Sequence, residues 1–398
     1  MKSCIYPILL RLIFISIFAN HHLNTFAQDS SRIRISLLTC TPGDELYSIF
    51  GHSAIRIVDS SNAMYRGADT AYSDIVYNYG TFNFDDEGFY IKFIRGKLNY
   101  YISTEQFEDF KYLYQATNRG ITEQVLQLSP SEKANLHHAL NENLKEENKY
   151  YQYDFFFDNC TTRLRDLIVS NKTPAPILPA VRPPGMRFRQ AIHEYLNKGQ
   201  QHWSKLGIDL LLGAPTDRVM TAAEQQFLPD NLMMAIDMAA NTRLVSDTKN
   251  LYALNHLPRD KPWFTPTSCF AALLVFYILL HFALKNSRPL FMDSLDGLLF
   301  FVVGLLGVLF LFMWFATDHS MTKTNYNLLW ALPTHSIVSF FVNSRKPWVK
   351  KYFGFTALAG IALLCFWFFL PQQMNNALIP VVLLLTFRAA TRYYKNIR

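Results

Sequence analysis

The sequence predicts an α+β soluble domain followed by an all-α bundle of five membrane-spanning helices. Three observations carry this. Before about Ser268, short alternating apolar runs are separated by turn residues and mixed with helical patterns. After it come five apolar stretches, Ser268–Leu284, Leu298–Ala316, Leu328–Val342, Phe353–Leu370 and Asn376–Arg388, the third and fifth short for a span of about 20 residues. The loops between them alternate in charge: Lys285 and Arg288, then Lys323 alone, then Arg345, Lys346, Lys350 and Lys351, then no cation, and finally Arg388, Arg392, Lys395 and Arg398. With the soluble domain outside, every basic loop falls inside, as the positive-inside rule demands. The net charge of +7 is thus read as membrane topology and not as a nucleic-acid surface.

The N-terminus reads as a secretory signal. Lys2 and Arg11 flank the apolar core Ile8–Ala19, and Thr25-Phe26-Ala27 is a small-x-small cleavage site before Gln28. The division is therefore 1–27 signal, 28–262 periplasmic catalytic domain and 263–398 membrane domain. Of five cysteines, Cys4 lies in the signal and Cys269 and Cys365 in apolar spans, leaving Cys40 and Cys160. A Cys40–Cys160 disulfide is one reading, since thiols pair in an oxidising compartment. The other is that Cys160 is a nucleophile.

In order, Ile33–Thr39 is a β-like run, and Thr41-Pro42-Gly43-Asp44 a turn that leads to Gly51-His52. Ser53–Val58 and Ile75–Phe82 read as strands separated by a polar loop. Gly88–Tyr101 interleaves Lys92, Arg95 and Lys97 with Phe89, Tyr90, Phe93, Tyr100 and Tyr101, a mixture suited to a headgroup interface or to a helix and strand with a solvated face. Helices are predicted at Glu105–Arg119, at Glu132–Asn148 behind Ser129-Pro130, at Phe188–Leu196 and at Glu224–Leu244. The proline-rich run Thr173–Gly185 is irregular, and Gly207–Pro215 is too short to span, so packing is its default role.

Phe155-Phe156-Phe157-Asp158-Asn159-Cys160 is the central stretch. Asp158-Asn159 ends an apolar run with N-cap residues, and Leu164, Leu167 and Ile168 follow at helical spacing, so Cys160 sits in a first helical turn. Free N–H groups and the helix dipole there favour a thiolate. His52, at the mouth of a strand behind Gly51, is the candidate base, and Asn78 on the next strand shares its face and is the candidate orienting residue, with Asp74 and Tyr79 as rivals. Asn159 and Thr161 are candidates at an oxyanion or substrate site. Asp318 and His319, in the loop on the catalytic side of the membrane, are candidates for a headgroup or amine. Asp209 and Asp217 are read as capping or surface carboxylates, and His335 as a packed bundle residue.

His52-Ser53-Ala54-Ile55-Arg56-Ile57 and Asn159-Cys160 resemble the His-x-Ala-Ile strand and Asn-Cys helix start of circularly permuted papain-like proteins, the lecithin:retinol-type acyltransferases and NlpC/P60-like hydrolases. A closer resemblance covers nearly the whole mature chain. Thr39-Cys40-Thr41-Pro42-Gly43, Phe50-Gly51-His52-Ser53, Tyr77–Phe82, Phe155–Arg163 and Gly207–Gly213 are similar to the Lnb family of bacterial lipoprotein N-acyltransferases. That resemblance implies a permuted papain-like periplasmic domain joined to five transmembrane helices in the inner membrane, with Cys160 and His52 catalytic. It implies a phospholipid acyl donor, a Cys160 thioester and the α-amine of a diacylglyceryl-cysteine lipoprotein as acceptor. Neither metal nor cofactor is called for. Two other readings keep the same residues: a membrane-anchored cysteine hydrolase (phospholipase or cell-wall amidase/endopeptidase), and a non-enzymatic scaffold with the two cysteines bridged.

Overall fold

The computed structural model describes residues 32–60, 73–253, 262–284 and 287–395. The expected signal segment 1–27 lies outside them, as do most of the polar loop after Asp59, and Lys285 and Arg398. Among the described residues one antiparallel sheet has seven strands, Ile33–Cys40 (β1), His52–Asp59 (β2), Ser73–Thr81 (β3), Asn99–Gln106 (β4), Ile121–Leu126 (β5), Tyr150–Gln152 (β6) and Val245–Tyr252 (β7), in the order β6-β4-β3-β2-β1-β5-β7. Besides the single turn Ala222–Gln225, the described helices before the membrane are Phe89–Arg95 (α1), Phe107–Ala116 (α2), Pro130–Leu144 (α3), Cys160–Ser170 (α4), Phe188–Lys198 (α5), His202–Leu211 (α6) and Pro229–Asp237 (α7).

Strand alternation sends two sets of side chains to opposite faces. Ile35, Leu37, Ile55, Ile57, Tyr77 and Tyr79 pack beneath α3, α4 and α7 through Leu136, Leu140, Leu164, Ile168, Leu232 and Ile236. Leu38, Cys40, Ala54 and Val76 pack against Phe107, Phe110 and Tyr114 of α2. The nucleophile candidate therefore starts a helix laid across the central strands. Three predicted helices are shorter than their patterns. The one predicted to Asn148 ends at Leu144. Glu105 and Gln106 complete β4 before α2 begins, and the stretch 224–244 breaks ahead of Pro229, which cannot donate a helical hydrogen bond and instead opens α7.

Four helices among the described residues are long and apolar enough to cross a membrane: Pro266–Leu284 (α8), Pro289–Phe315 (α9), Pro347–Cys365 (α10) and Asn376–Tyr394, whose regular part runs Ile379–Lys395 (α11). The remaining predicted span, Leu328–Val342, is no single helix. It consists of the turn Tyr326–Leu329, a short helix His335–Val338 and the turn Ser339–Phe341, with Pro333 interrupting the hydrogen-bond ladder. It runs antiparallel to α9, whose Gly307, Gly304 and Gly297 lie against the backbone of Ala331, Ser336 and Ser339 in turn. The inner side of this segment, with Trp330, Ala331, His335, Val338 and Ser339 buried, packs on the bundle, while Ile337 and Phe340 face outward.

Two more charges behave differently from the prediction. Arg388 and Arg392 are not terminal loop cations. They are buried on α11, where Arg388 donates to Asp296 (2.7 and 2.8 Å) and Arg392 pairs with Asp293 and Asp296 of α9. Opposite charges on facing helices satisfy one another where water is absent. α9 accordingly begins nine residues before the predicted Leu298, at Pro289.

The soluble and membrane parts are fastened by polar contacts. Gly213 N–H donates to Met321 O (2.8 Å) and Ala214 N–H to Thr324 O (3.1 Å). Gln372 Nε2 donates to Leu212 O (3.0 Å), Asn325 Nδ2 to Leu210 O (2.7 Å) and Asn375 Nδ2 to Asp209 Oδ2 (2.8 Å). Both membrane loops, 317–325 and 371–376, thus grip the segment Gly207–Pro215, while Leu206 and Leu210 of α6 pack into the top of the bundle.

Candidate active site

Asn159, in extended conformation, caps α4. Its Oδ1 accepts from Thr161 N (2.8 Å) and Thr162 N (2.9 Å), and its Nδ2 donates to Phe155 O (2.7 Å) and Phe227 O (2.9 Å). Both ends of this buried amide are engaged. Of the first-turn N–H groups, those of Thr161 and Thr162 are held by the cap, which removes the cost of leaving these buried donors unpaired. Thr161 is buried as well, its hydroxyl 3.0 Å from Ser53 Oγ and 3.8 Å from Cys160 Sγ. The structure assigns Asn159 to building the helix start and Thr161 to bracing the thiol from inside the domain.

His52 opens β2 behind Gly51, whose φ of +81° and a would-be Cβ only 2.6 Å from Cys40 O admit glycine best. On the neighbouring strand β3, Gly80 borders Cys160, and its φ of +89° is what favours glycine there, since a side-chain Cβ would meet Cys160 Cβ at an ordinary 3.7 Å. Asn78 Oδ1 lies 3.1 Å from His52 Nε2, and Asn78 Nδ2 donates to Glu105 Oε1 at 2.7 Å. The carboxylate accepts only, so the amide must turn its N–H toward Glu105 and its oxygen toward the imidazole. His52 Nε2 then carries the proton it donates, and Nδ1 is left for the sulfur.

The electrostatics follow this geometry. Burial raises the Cys160 thiol, but the charge and hydrogen bond of His52, the backbone N–H of Ser53 and the Thr161 hydroxyl outweigh it and bring it down to about 7. Burial depresses His52, and the charge and hydrogen bond of Cys160 with the bond to Asn78 lift it above the ordinary imidazole value. Both shifts favour thiolate and imidazolium together. Cys40 is the contrast: burial beside Tyr114 pushes its thiol up to about 12, and neither it nor Cys160 is in a disulfide. The bridged reading is not the one this structure adopts.

The rivals for orienting His52 have other partners. Asp74 receives a bidentate pair from Arg56 (2.8 and 2.6 Å), and Tyr79 OH accepts from Asn143 Nδ2 (2.6 Å). Asp318 and His319 contact the end of α1, and the exposed Asp318 carboxylate lies 3.7 Å from Lys97 Nζ. Asp318 N–H donates to Arg95 O (2.9 Å), and His319 Nε2 donates to Phe93 O (3.2 Å) and Ile94 O (3.1 Å), so both bind the carbonyl end of α1. The Phe93 carbonyl also accepts from Gly96 N–H (3.0 Å), so the loop adds a second donor to a helix end that is already capped. Asp209 and Asp217 are neither surface nor site groups. Both pair with buried Arg189 (2.8 and 3.0 Å) beneath the membrane loops. His335 is packed in the bundle, its Nδ1 accepting from Tyr352 OH at 2.6 Å.

Two participants escaped the sequence reading. Glu105 comes from β4, and only the pairing of Asn78 with Ser103 brings it beside the amide. The Ser53 N–H is a backbone group that no residue pattern marks.

Two family models match the chain. Residues 20–181 match the Lnb N-terminal periplasmic domain and residues 258–398 match the Lnb transmembrane domain. The segment between them carries Arg189 and Asp209. No curated protein and no solved structure matches.

Proposed function

We propose that this chain, which belongs to the Lnb family, is a thiol-dependent lipoprotein N-acyltransferase. It is a membrane protein with a periplasmic domain, and the family relates it to lipoprotein processing. The observation that carries the finer reading is the thiol at a helix start, drawn down to about 7 by an imidazole that an amide and a carboxylate orient. On this reading the soluble domain is permuted papain-like and the bundle lies in the inner membrane with five crossings, the third of them the broken segment.

The reaction runs in two steps. His52 Nδ1 takes the Cys160 proton, and the thiolate attacks the ester carbonyl of a phospholipid. A C–S bond forms, the ester C–O bond breaks, and the imidazolium returns its proton to the departing alkoxide of the lysophospholipid. The free α-amine of a diacylglyceryl-cysteine then attacks the thioester. A C–N bond forms, the C–S bond breaks, the amine proton passes to His52, and the thiolate is restored. Asn78 and Glu105 keep Nδ1 aimed at sulfur throughout, and Ser53 N–H steadies the thiolate between turnovers.

The test is mass spectrometry of lipoprotein N-termini from cells in which this chain is the sole N-acylating enzyme. Wild type is expected to give N-acylated termini, and Cys160→Ala or His52→Ala free amines. N-acylation that persists with Cys160→Ala overturns the proposal, and released fatty acid without N-acylation identifies a hydrolase instead.

A further inference from the structure

α1 and the turn before it carry a cluster of exposed apolar side chains. Ile91 is 67% and Tyr90 77% exposed, and Phe84, Phe93 and Ile94 are exposed beside them. Arg95 and Lys97 follow at its C-terminal end. Three facts say what covers this face. The carbonyls of its last turn accept from Asp318 N–H and His319 Nε2, residues just past the end of α9 at Phe315, so α1 lies in the plane where α9 leaves the bilayer. The mixture of exposed apolar and aromatic side chains with cations is the composition of a helix seated at the headgroup–acyl boundary. And an aromatic wall leads inward from it: Phe89 to Phe82 (5.9 Å between ring centroids), Phe82 to Tyr100 (5.3 Å), and Tyr100 stacked on Tyr153 (4.4 Å). Tyr153 lies against Gly80, the residue that borders Cys160.

We infer that α1 is embedded in the outer leaflet of the bilayer and, with the wall Phe82–Tyr100–Tyr153, draws a phospholipid's ester toward Cys160. The partner is the lipid surface itself, through acyl chains on Ile91, Tyr90 and Ile94 and headgroup phosphates on exposed Arg95, with Lys97 beside it held 3.7 Å from the Asp318 carboxylate. This deepens the acyltransferase reading and rests on it for the identity of the donor. The seating of α1 in lipid does not depend on that reading.

The full-length protein is reconstituted in vesicles of phosphatidylethanolamine and phosphatidylglycerol. With Ile91 replaced by p-benzoylphenylalanine, irradiation is expected to crosslink position 91 to phospholipid. In the I91D/I94D variant, acylation of the Cys160 peptide from vesicle phospholipid is expected to fall about tenfold or more. Its alkylation by iodoacetamide and its acylation by a water-soluble short-chain thioester are expected to stay unchanged, which shows the fold and thiol intact. A position 91 that fails to crosslink to lipid, or a variant acylated from vesicles as fast as wild type, overturns the inference. Crosslinking of the position-91 p-benzoylphenylalanine protein to lipid, together with wild type that is never acylated, contradicts the acyltransferase reading alone.

Discussion

Cys160 and Cys40 are both cysteines of one domain, and their surroundings drive them apart. Cys160 has a polar cage and falls to about 7, whereas Cys40 sits among apolar side chains and rises to about 12. The rate of Cys160 alkylation by iodoacetamide is therefore expected to rise through a midpoint near pH 7. In His52→Ala, which removes the main force lowering the thiol, the midpoint should move up toward the ordinary thiol range. An unchanged midpoint would mean that the imidazole does not govern the sulfur. Glu105→Ala frees the Asn78 amide to rotate, so the imidazole loses its fixed tautomer, and the acylation rate is expected to fall roughly 10- to 100-fold. Glu105→Gln, which also accepts from Asn78 through its carbonyl, should recover much of that loss, an outcome that a purely structural role would not require. Cys160, His52 and Asn78 were readable because local rules mark them: a cap before the cysteine, a glycine before the histidine, even spacing along a strand. Glu105 was not, because its place depends on a cross-strand register with an irregularity between Asn78 and Thr81.

At the level of elements, signals confined to one segment were legible. Ser129 is the N-cap of α3, Pro130 opens it, and Glu132 closes a capping box. Glu132 also accepts from Thr173 N (2.8 Å) and Lys172 Nζ (3.0 Å), tying α3 to the chain beyond α4. Burial opposes its ionisation, yet the N–H groups of Ser129 and Thr173 and the Lys172 ammonium hold it down at about 2. A depressed carboxyl stabilises the fold above its unfolded value of about 4.3 and loses that contribution as pH falls toward 2. Glu132→Gln is expected to cost about 2 kcal/mol near pH 7 and almost nothing near pH 2, read as a pH-dependent difference in thermal midpoint. An equal cost at both extremes would show that packing and not charge is at stake. Elements held by distant partners were less legible. β7, Val-Ser-Asp-Thr-Lys-Asn-Leu-Tyr, has no clear alternation because it is an edge strand beside β5 with mostly exposed side chains. The stretch 328–342 has a span's composition, but its shape is dictated by Pro333 and by the glycines of α9.

Across the whole molecule, Arg189 joins the soluble domain to the membrane part. Fully buried, it holds Asp209 and Asp217, and Asp209 in turn accepts from His193 Nε2 (2.8 Å) and Asn375 Nδ2. Arg189→Met strands two carboxylates and is expected to cost about 3–5 kcal/mol, with the segment 207–217 becoming the first site of proteolysis in detergent or vesicles. Resistance equal to wild type would mean that the backbone contacts to Met321 and Thr324 suffice. The sequence shows Asp209 and Asp217 only as isolated carboxylates, since nothing local says that two membrane loops will close over them. On the proposed reading, this grip would keep α1 and Cys160 at the bilayer surface, where a lipid donor and a lipidated acceptor would both reside. The most direct test is the mass of the Cys160 peptide after purified protein is incubated with phosphatidylglycerol. The account requires a fatty-acyl adduct on that sulfur, released by neutral hydroxylamine and lost with His52→Ala. A Cys160 that stays unmodified while the protein transfers acyl chains, or an adduct on another residue, would contradict it.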